Sequence, residues 1–175
     1  MKERTGLTTF HGNPLTLLGP ALKVGDAAPE ATVADTKLQD VQLSSFAGRV
    51  RIISAVPSLD TSVCSIETRR FEQEAAKLGP EVVMLAISMD LPFAQKRWAD
   101  ESSIKETHLL SDYKQRSFGL AYGVLIKELG LLARTVFVVD QNDTIRHIQI
   151  VPEVTNEPDY DAVLDAARQA TAALR

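Results

Sequence analysis

Val50-Arg51-Ile52-Ile53-Ser54-Ala55-Val56-Pro57, continuing into Ser58-Leu59-Asp60-Thr61-Ser62-Val63-Cys64, is the stretch from which the rest of the chain can be read. Residues 50–56 are nearly all apolar and rich in β-branched side chains, the pattern of a strand covered on both faces in a mostly parallel sheet. Pro57 has no N–H to give to a ladder and ends it. Asp60, Thr61 and Ser62 are all good N-caps, and Val63, Ile66, Phe71, Ala75 and Leu78 keep one apolar side until Gly79-Pro80. A helix of about four turns therefore follows the strand directly.

Outward from this unit the alternation continues. Val82 to Ser88 repeats the buried-strand pattern, Phe93 to Asp100 reads as a helix after Pro92, and Thr107 to Leu110 as another short strand. Arg134 to Asp140 and Thr144 to Val151, joined by Gln141-Asn142-Asp143, suggest a hairpin, and Tyr160 to Leu174 an Ala-rich terminal helix begun near Pro158-Asp159. Towards the N-terminus, Ala31 to Ala34 and Val41 to Leu43 are short strand candidates. Leu7 to Phe10 and Leu15 to Leu18 flank His11-Gly12-Asn13-Pro14, which reads as a β-hairpin over about 7–18. The expectation is one α/β domain over residues 1–175, with a central mixed sheet flanked by helices.

The bulk numbers narrow the function classes. The 175 residues are 45% hydrophobic and 24% charged, so a core is expected without disulfides or metals. Net charge is -4 and the basic residues are scattered, which argues against nucleic acid as a partner. No apolar run approaches the ~20 residues of a membrane helix and no basic-then-apolar leader is visible, so a cytoplasmic protein without a membrane partner is expected. A single cysteine fits a reducing compartment.

That cysteine stands where a buried strand hands over to a helix, a common place for an active site in α/β folds. With the helix beginning at Thr61 or Ser62, Cys64 lies in its first turn, where unpaired backbone N–H groups and the positive helix end stabilise a thiolate. Thr61, three positions earlier, has a hydroxyl able to donate to the sulfur or to a bound oxygen. Pro57 can shield the sulfur from water, and Arg134, from a distant strand, can add permanent positive charge. Taken singly, the bland readings are the commoner ones: a small buried hydrophobe, an N-cap, a strand terminator and a surface charge. Their conjunction is what points to chemistry.

Pro57-Ser58-Leu59-Asp60-Thr61-Ser62-Val63-Cys64 resembles the peroxiredoxin active-site motif Pro-x-x-x-Thr-x-x-Cys, and its Asp-Thr-x-Val-Cys ending resembles the bacterial thiol peroxidase subgroup. Phe10-His11-Gly12-Asn13-Pro14, Asp90-Leu91-Pro92-Phe93-Ala94-Gln95, Ala133-Arg134 and Glu157-Pro158-Asp159-Tyr160 are similar to further segments of that subgroup, so the likeness spans nearly the whole chain. The resemblance implies a thioredoxin-like fold with an N-terminal hairpin. It makes Cys64 the peroxidatic cysteine and Thr61, Arg134 and Pro57 its supporting residues. It further implies reduction of hydrogen peroxide and alkyl hydroperoxides through a cysteine sulfenic acid, with thioredoxin or another thiol as reductant. A homodimer is implied, and no cofactor or metal. His11, His108 and His147 show no ligand spacing.

One departure stands out. Where the subgroup usually has a second, resolving cysteine, Lys96-Arg97-Trp98 is followed here by Ala99. Either the protein works with one cysteine and an external thiol, or Ala99 replaces a cysteine to hold the reduced form. Three rivals remain in view: a thioredoxin-like disulfide oxidoreductase, which would need Cys-x-x-Cys; a cysteine hydrolase, with His108 as base; and an idle binding protein on the same fold.

Overall fold

The computed structural model describes residues 1–174. Its first half contains β1 (Glu3–Arg4), β2 (Thr9–Phe10), β3 (Asn13–Pro14), β4 (Leu17–Leu18), β5 (Thr32–Ala34), β6 (Asp40–Gln42), β7 (Val50–Ala55), α1 (Ser62–Leu78) and β8 (Val82–Ser88). The second half contains α2 (Pro92–Ser102), β9 (Thr107–Ser111), α3 (Ser117–Ala121), β10 (Leu125–Ile126), β11 (Thr135–Val139), β12 (Ile145–Ile150) and α4 (Tyr160–Ala172).

Seven strands form one mixed sheet in the order β12-β11-β7-β8-β9-β5-β6. β7, β8 and β9 run parallel at its centre, with Val50 opposite Val82 and Met84 opposite Thr107. Antiparallel pairs flank them, β11 and β12 on one side and β5 and β6 on the other. The unbroken apolar run of β7 follows from cover on both faces. Ile52 packs with Met84, Val136 and Val138 under Phe71 and Ala75 of α1 and Val163, Leu164 and Ala167 of α4. Its neighbour Ile53 points the other way, as a period of two demands, and joins Leu85, Ile87, Phe118, Tyr122 and Phe137. α2 lies on the α1 side, where Trp98 meets Ala86 and Leu109. Burying one such large apolar side chain contributes about 1.5–3 kcal/mol, so these two layers carry most of the fold's stability.

Two local expectations change, and one further element is added. The inward stripe of α1 is Cys64, Glu67, Thr68, Phe71 and Ala75, while Ile66 is 53% exposed. The helix is rotated so that Cys64, rather than Val63 and Ile66, faces the sheet. The N-terminal hairpin is tighter than 7–18: β2 and β3 pair around His11-Gly12, with φ of 50 and 80, the geometry of a type I′ turn. Leu17-Leu18 pairs instead with β1 and β10 in a separate three-stranded sheet, and Leu15 and Leu17 bury themselves against Ile126, Ala133 and Val154. Finally, Ser117–Ala121 is helical, its first turn fixed by Asp112, which accepts from the N–H groups of Phe118 and Gly119. Among the described residues no helix is long and apolar enough to cross a membrane.

Candidate active site

β7 ends because the Val56 N–H makes a last ladder bond to the Ile87 carbonyl and Pro57, which is buried, can make no other. The chain then turns over the end of the sheet, and Asp90, just after β8, ties that turn down. Its carboxylate accepts from Ser58 Oγ (2.6 Å), the Leu59 N–H (2.8 Å) and Ser88 Oγ (2.8 Å). Of the three possible caps the fold uses Thr61, whose Oγ1 accepts from the Cys64 N–H at 3.3 Å and donates to the Ser58 carbonyl at 3.0 Å. Cys64 is thereby the third residue of α1, wholly buried among Val56, Leu59, Ala86, Trp98 and Leu109. The Trp98 indole N–H donates to Ser65 Oγ at 3.3 Å, which fixes α2 against this turn.

Arg134 reaches the same place from 70 residues away. Because Thr135 pairs with Ala55, the residue before it lies level with the end of β7. Arg134 is 2% exposed and every branch of its guanidinium is engaged. Nη2 lies 3.2 Å from Cys64 Sγ, Nη1 2.5 Å from Glu67 Oε2, and Nε donates to the Val154 carbonyl at 2.8 Å. Ser54, a polar residue in an otherwise apolar strand, donates to the other Glu67 oxygen at 2.9 Å. Burial pushes the Glu67 carboxyl up, opposed by Arg134 and Ser54. Burial also works against the charge on Arg134, but Glu67 and Cys64 outweigh it and keep the guanidinium protonated. The result is one fixed cation between a carboxylate and a sulfur in a dry pocket, where a charge-assisted contact counts for more than in water.

Cys64, Thr61, Arg134 and Pro57 thus converge at one end of the sheet. The Thr61 hydroxyl differs from expectation in one respect: its proton points to Ser58, not to the sulfur. Glu67, Asp90 and the Val154 carbonyl complete the site. Of these Glu67 had a readable signal, since positions three, four and seven after Cys64 are Glu67, Thr68 and Phe71, one face of a helix. Ala99, on α2, borders the cluster that encloses Cys64. His108 is on β9 beside Leu109, whose side chain faces Cys64's cluster, so His108 points to the other face and stacks edge-on with Phe46 at 5.1 Å. That removes the base a cysteine hydrolase would need. His147 is half buried and desolvation lowers its pKa, while His11 lies in the hairpin turn. Among the described residues no three His, Cys, Asp or Glu side chains gather as a metal site.

The chain is similar to known proteins along most of its length. The redoxin family model matches residues 23–164. A thiol peroxidase of Halalkalibacterium halodurans is 52% identical over 163 residues, covering 93% of this chain and 97% of the relative. A thiol peroxidase of Bacillus subtilis is 50% identical, covering 91% and 95%. The crystal structure of a peroxiredoxin-like protein from Aquifex aeolicus superposes with a TM-score of 0.89 at 42% identity, over 95% of this chain and 97% of that one. The thioredoxin-like α/β fold is therefore the fold of this protein, and the chain belongs to the redoxin family, among the thiol peroxidases of the peroxiredoxin group.

Proposed function

We propose that this thiol-dependent peroxidase works through Cys64, with Arg134 and Thr61 holding the peroxide and Pro57 closing the pocket over the sulfur. The observation that carries the reading is the 3.2 Å contact between Arg134 Nη2 and Cys64 Sγ inside a buried pocket. A permanent cation there favours the thiolate, the nucleophilic form of cysteine. The thiolate attacks the nearer peroxide oxygen. An S–O bond forms as the O–O bond breaks, the departing oxygen takes a proton and leaves as water or an alcohol, and Cys64 becomes a sulfenic acid. A first external thiol then attacks the sulfenic sulfur, releasing water and forming a mixed disulfide, and a second thiol breaks that disulfide to return the Cys64 thiol and carry away the oxidised donor as a disulfide. The Thr61 oxygen is fixed by the Cys64 N–H, so its proton is the movable part and swings from Ser58 to the bound peroxide. Arg134 faces the charge that develops on the two peroxide oxygens.

Apolar walls at Val56, Leu59, Trp98 and Leu109 support alkyl hydroperoxides as substrates beside hydrogen peroxide. Because Cys64 is the chain's one cysteine, the sulfenic acid is closed by an external thiol, for which thioredoxin is the proposed donor. Leu91 and Phe93, 52% and 69% exposed at the start of α2, support a homodimer. We further read the chain as a single cytoplasmic domain. Stopped-flow oxidation of Cys64 by hydrogen peroxide and by cumene hydroperoxide, read through the sole tryptophan Trp98, tests the assignment. A rate no greater than that of a free thiol would overturn it.

A further inference from the structure

We propose that Glu153 is a positioning residue for Arg134: its carboxylate locks the β2–β3 hairpin to the loop after β12, and that lock presents the Val154 carbonyl which orients the guanidinium on Cys64. The inference rests on the catalytic reading of Arg134 given above and adds an element that reading does not contain.

Two of the three partners of Arg134, Glu67 and Cys64, sit on one helix and fix one edge of the guanidinium. The third, the Val154 carbonyl on Nε, arrives from elsewhere and sets the plane of the fork. A planar group held at all of its corners is the arrangement that distinguishes arginine from lysine. Val154 lies beyond the end of the sheet, so no ladder holds it in place. The hairpin does so instead. The Val154 N–H donates to the Thr9 carbonyl at 2.9 Å, the Thr9 N–H donates to the Pro152 carbonyl at 2.9 Å, and Thr8 Oγ1 donates to the Val151 carbonyl at 2.9 Å. The Val154 side chain is buried with Leu15, Leu17 and Ala133.

Glu153 joins the two pieces. Oε1 accepts from Thr9 Oγ1 (2.9 Å) and from the Gly12 N–H (2.8 Å) in the hairpin. Oε2 accepts from the Thr155 N–H (2.9 Å) and Thr155 Oγ1 (2.8 Å) in its own loop. Four donors on one carboxylate, split evenly between the segments, leave it no freedom. The Thr155 and Gly12 N–H groups, in that order, and then the two hydroxyls hold its pKa down at about 2, so the lock stays charged at any working pH. Gly12 can turn its N–H inward because its φ is 80, while a Cβ there would meet nothing within 4 Å. Conformation rather than space is what asks for glycine at that position. The route from Glu153 to the sulfur is therefore Glu153 to the hairpin, the hairpin to Val154, Val154 to Arg134 Nε, and Arg134 Nη2 to Sγ.

The test is a kinetic cycle on the full chain with hydrogen peroxide as probe, using Glu153→Ala, Arg134→Lys and the double variant. Glu153→Ala is expected to slow single-turnover oxidation of Cys64 about 10-fold, since small misplacements of a catalytic group carry large rate penalties. In the Arg134→Lys background, where no Nε meets Val154, Glu153→Ala is expected to change nothing further. Thr9→Val, which removes one donor to Oε1, is expected to slow the reaction less and to lose its effect in the same background, and it serves if Glu153→Ala does not fold. An Arg134 Nε–H resonance protected from exchange in the parent and exposed in Glu153→Ala would report the loosened fork directly. If Arg134→Lys reacts at the parent rate, the catalytic reading of Arg134 fails. If Arg134→Lys is slow while folded Glu153→Ala and Thr9→Val react at the parent rate, the positioning proposal fails alone. Equal slowing in both backgrounds would make Glu153 a general support of the fold and overturn the proposal as well.

Discussion

Replacing Arg134 by lysine keeps the positive charge and removes the fork. The guanidinium serves Cys64 Sγ at 3.2 Å, Glu67 at 2.5 Å and the Val154 carbonyl at 2.8 Å through three separate nitrogens. An ammonium is one nitrogen, and the buried Glu67 carboxylate is the partner it will keep, because an unpaired buried charge is the costlier alternative. The cation then withdraws from the sulfur, and roughly doubling the present 3.2 Å puts it at about 6 Å for the Coulomb comparison. With an effective dielectric constant of about 20, unit charges at 3.2 Å attract by about 5 kcal/mol and at about 6 Å by about 3 kcal/mol. Where the charge developing on the peroxide oxygens in the transition state loses the same attraction, the difference of about 2.4 kcal/mol corresponds to at most roughly 60-fold in rate. Loss of one positioned donor in comparable sites costs on the order of 100-fold or more, so both routes give a large loss. Lysine is the informative choice because alanine would leave Glu67 uncompensated, at about 3–5 kcal/mol against a typical total stability of about 5–15 kcal/mol. The assay is stopped-flow oxidation followed by Trp98 fluorescence, with intact mass to confirm the sulfenic acid and circular dichroism to confirm the fold. A folded Arg134→Lys protein oxidised at the parent rate would show that the guanidinium holds neither thiolate nor peroxide.

Thr61→Val removes both the acceptor for the Cys64 N–H and the movable proton; the urea midpoint is expected to fall by an amount matching about 1 kcal/mol, and peroxide oxidation to slow at least about 10-fold, with Thr61→Ser restoring both. Ala99→Cys is expected to lose two hydrogens in intact mass after one equivalent of peroxide and to resist sulfinic acid formation, whereas a folded variant that over-oxidises like the parent would deny position 99 the resolving role. Glu153 has its folded pKa lowered from 4.5 to about 2, so it contributes stability above about pH 4.5 that is lost as the pH falls through that interval towards about 2. Urea midpoints measured across that window are expected to drop less steeply for Glu153→Gln than for the parent; equal slopes would refute the assignment.

What could be read from the sequence was set by where the physical signal is local. The run Val50 to Val56 followed by a cap and an amphipathic stretch marks β7 and α1 without tertiary knowledge, because apolar run, proline and cap each act over a few residues. The same holds for β8 and for α4 behind its Asp159 cap. The strands of the small N-terminal sheet carry two residues each, too few for a period of two to show, and only their long-range partners define them. At the site, the rotation of α1 decides which residues are inside. Ile66 looks like part of the apolar side, yet the Arg134 guanidinium beneath the helix favours a face carrying Glu67. The spacing from Cys64 to Glu67, Thr68 and Phe71 marks that face as a possibility, but choosing it over the more apolar one requires knowing that an arginine waits there. The Val154 carbonyl lies beyond any pattern reading, since every residue has a carbonyl and only the fold aims this one.

If Cys64 is the reacting sulfur, as proposed, its complete burial limits how the catalytic cycle can run. A peroxide is small enough to be admitted to a sulfur that is 0% exposed, but the sulfur of a reductant is attached to a bulky partner and needs in-line approach. The reduced conformation therefore serves the first half-reaction and not the second. The bonds around the site indicate where it gives. Beyond Cys64, α1 is tied inward by Thr68 Oγ1 on the Cys64 carbonyl at 2.8 Å and by Glu67 on Ser54 and Arg134. Before it, the turn is held by the 3.3 Å Thr61 cap and by the contacts of Asp90 with Ser58 and Leu59. Between the Asp90 anchors at Ser58 and Leu59 and the Arg134–Glu67 pair the turn is held by little more than the cap, at about 1 kcal/mol, so on the proposed cycle the stretch from Thr61 to Ile66 is the part expected to open while the helix from Glu67 onward stays in place. Once the sulfur carries an oxygen the Arg134 contact no longer grips a thiolate, and the balance shifts further towards opening. On the proposed cycle oxidation is thus expected to loosen the turn that reduction requires to be loose, with the buried Arg134–Glu67 pair as the fixed post to which the reduced sulfur returns.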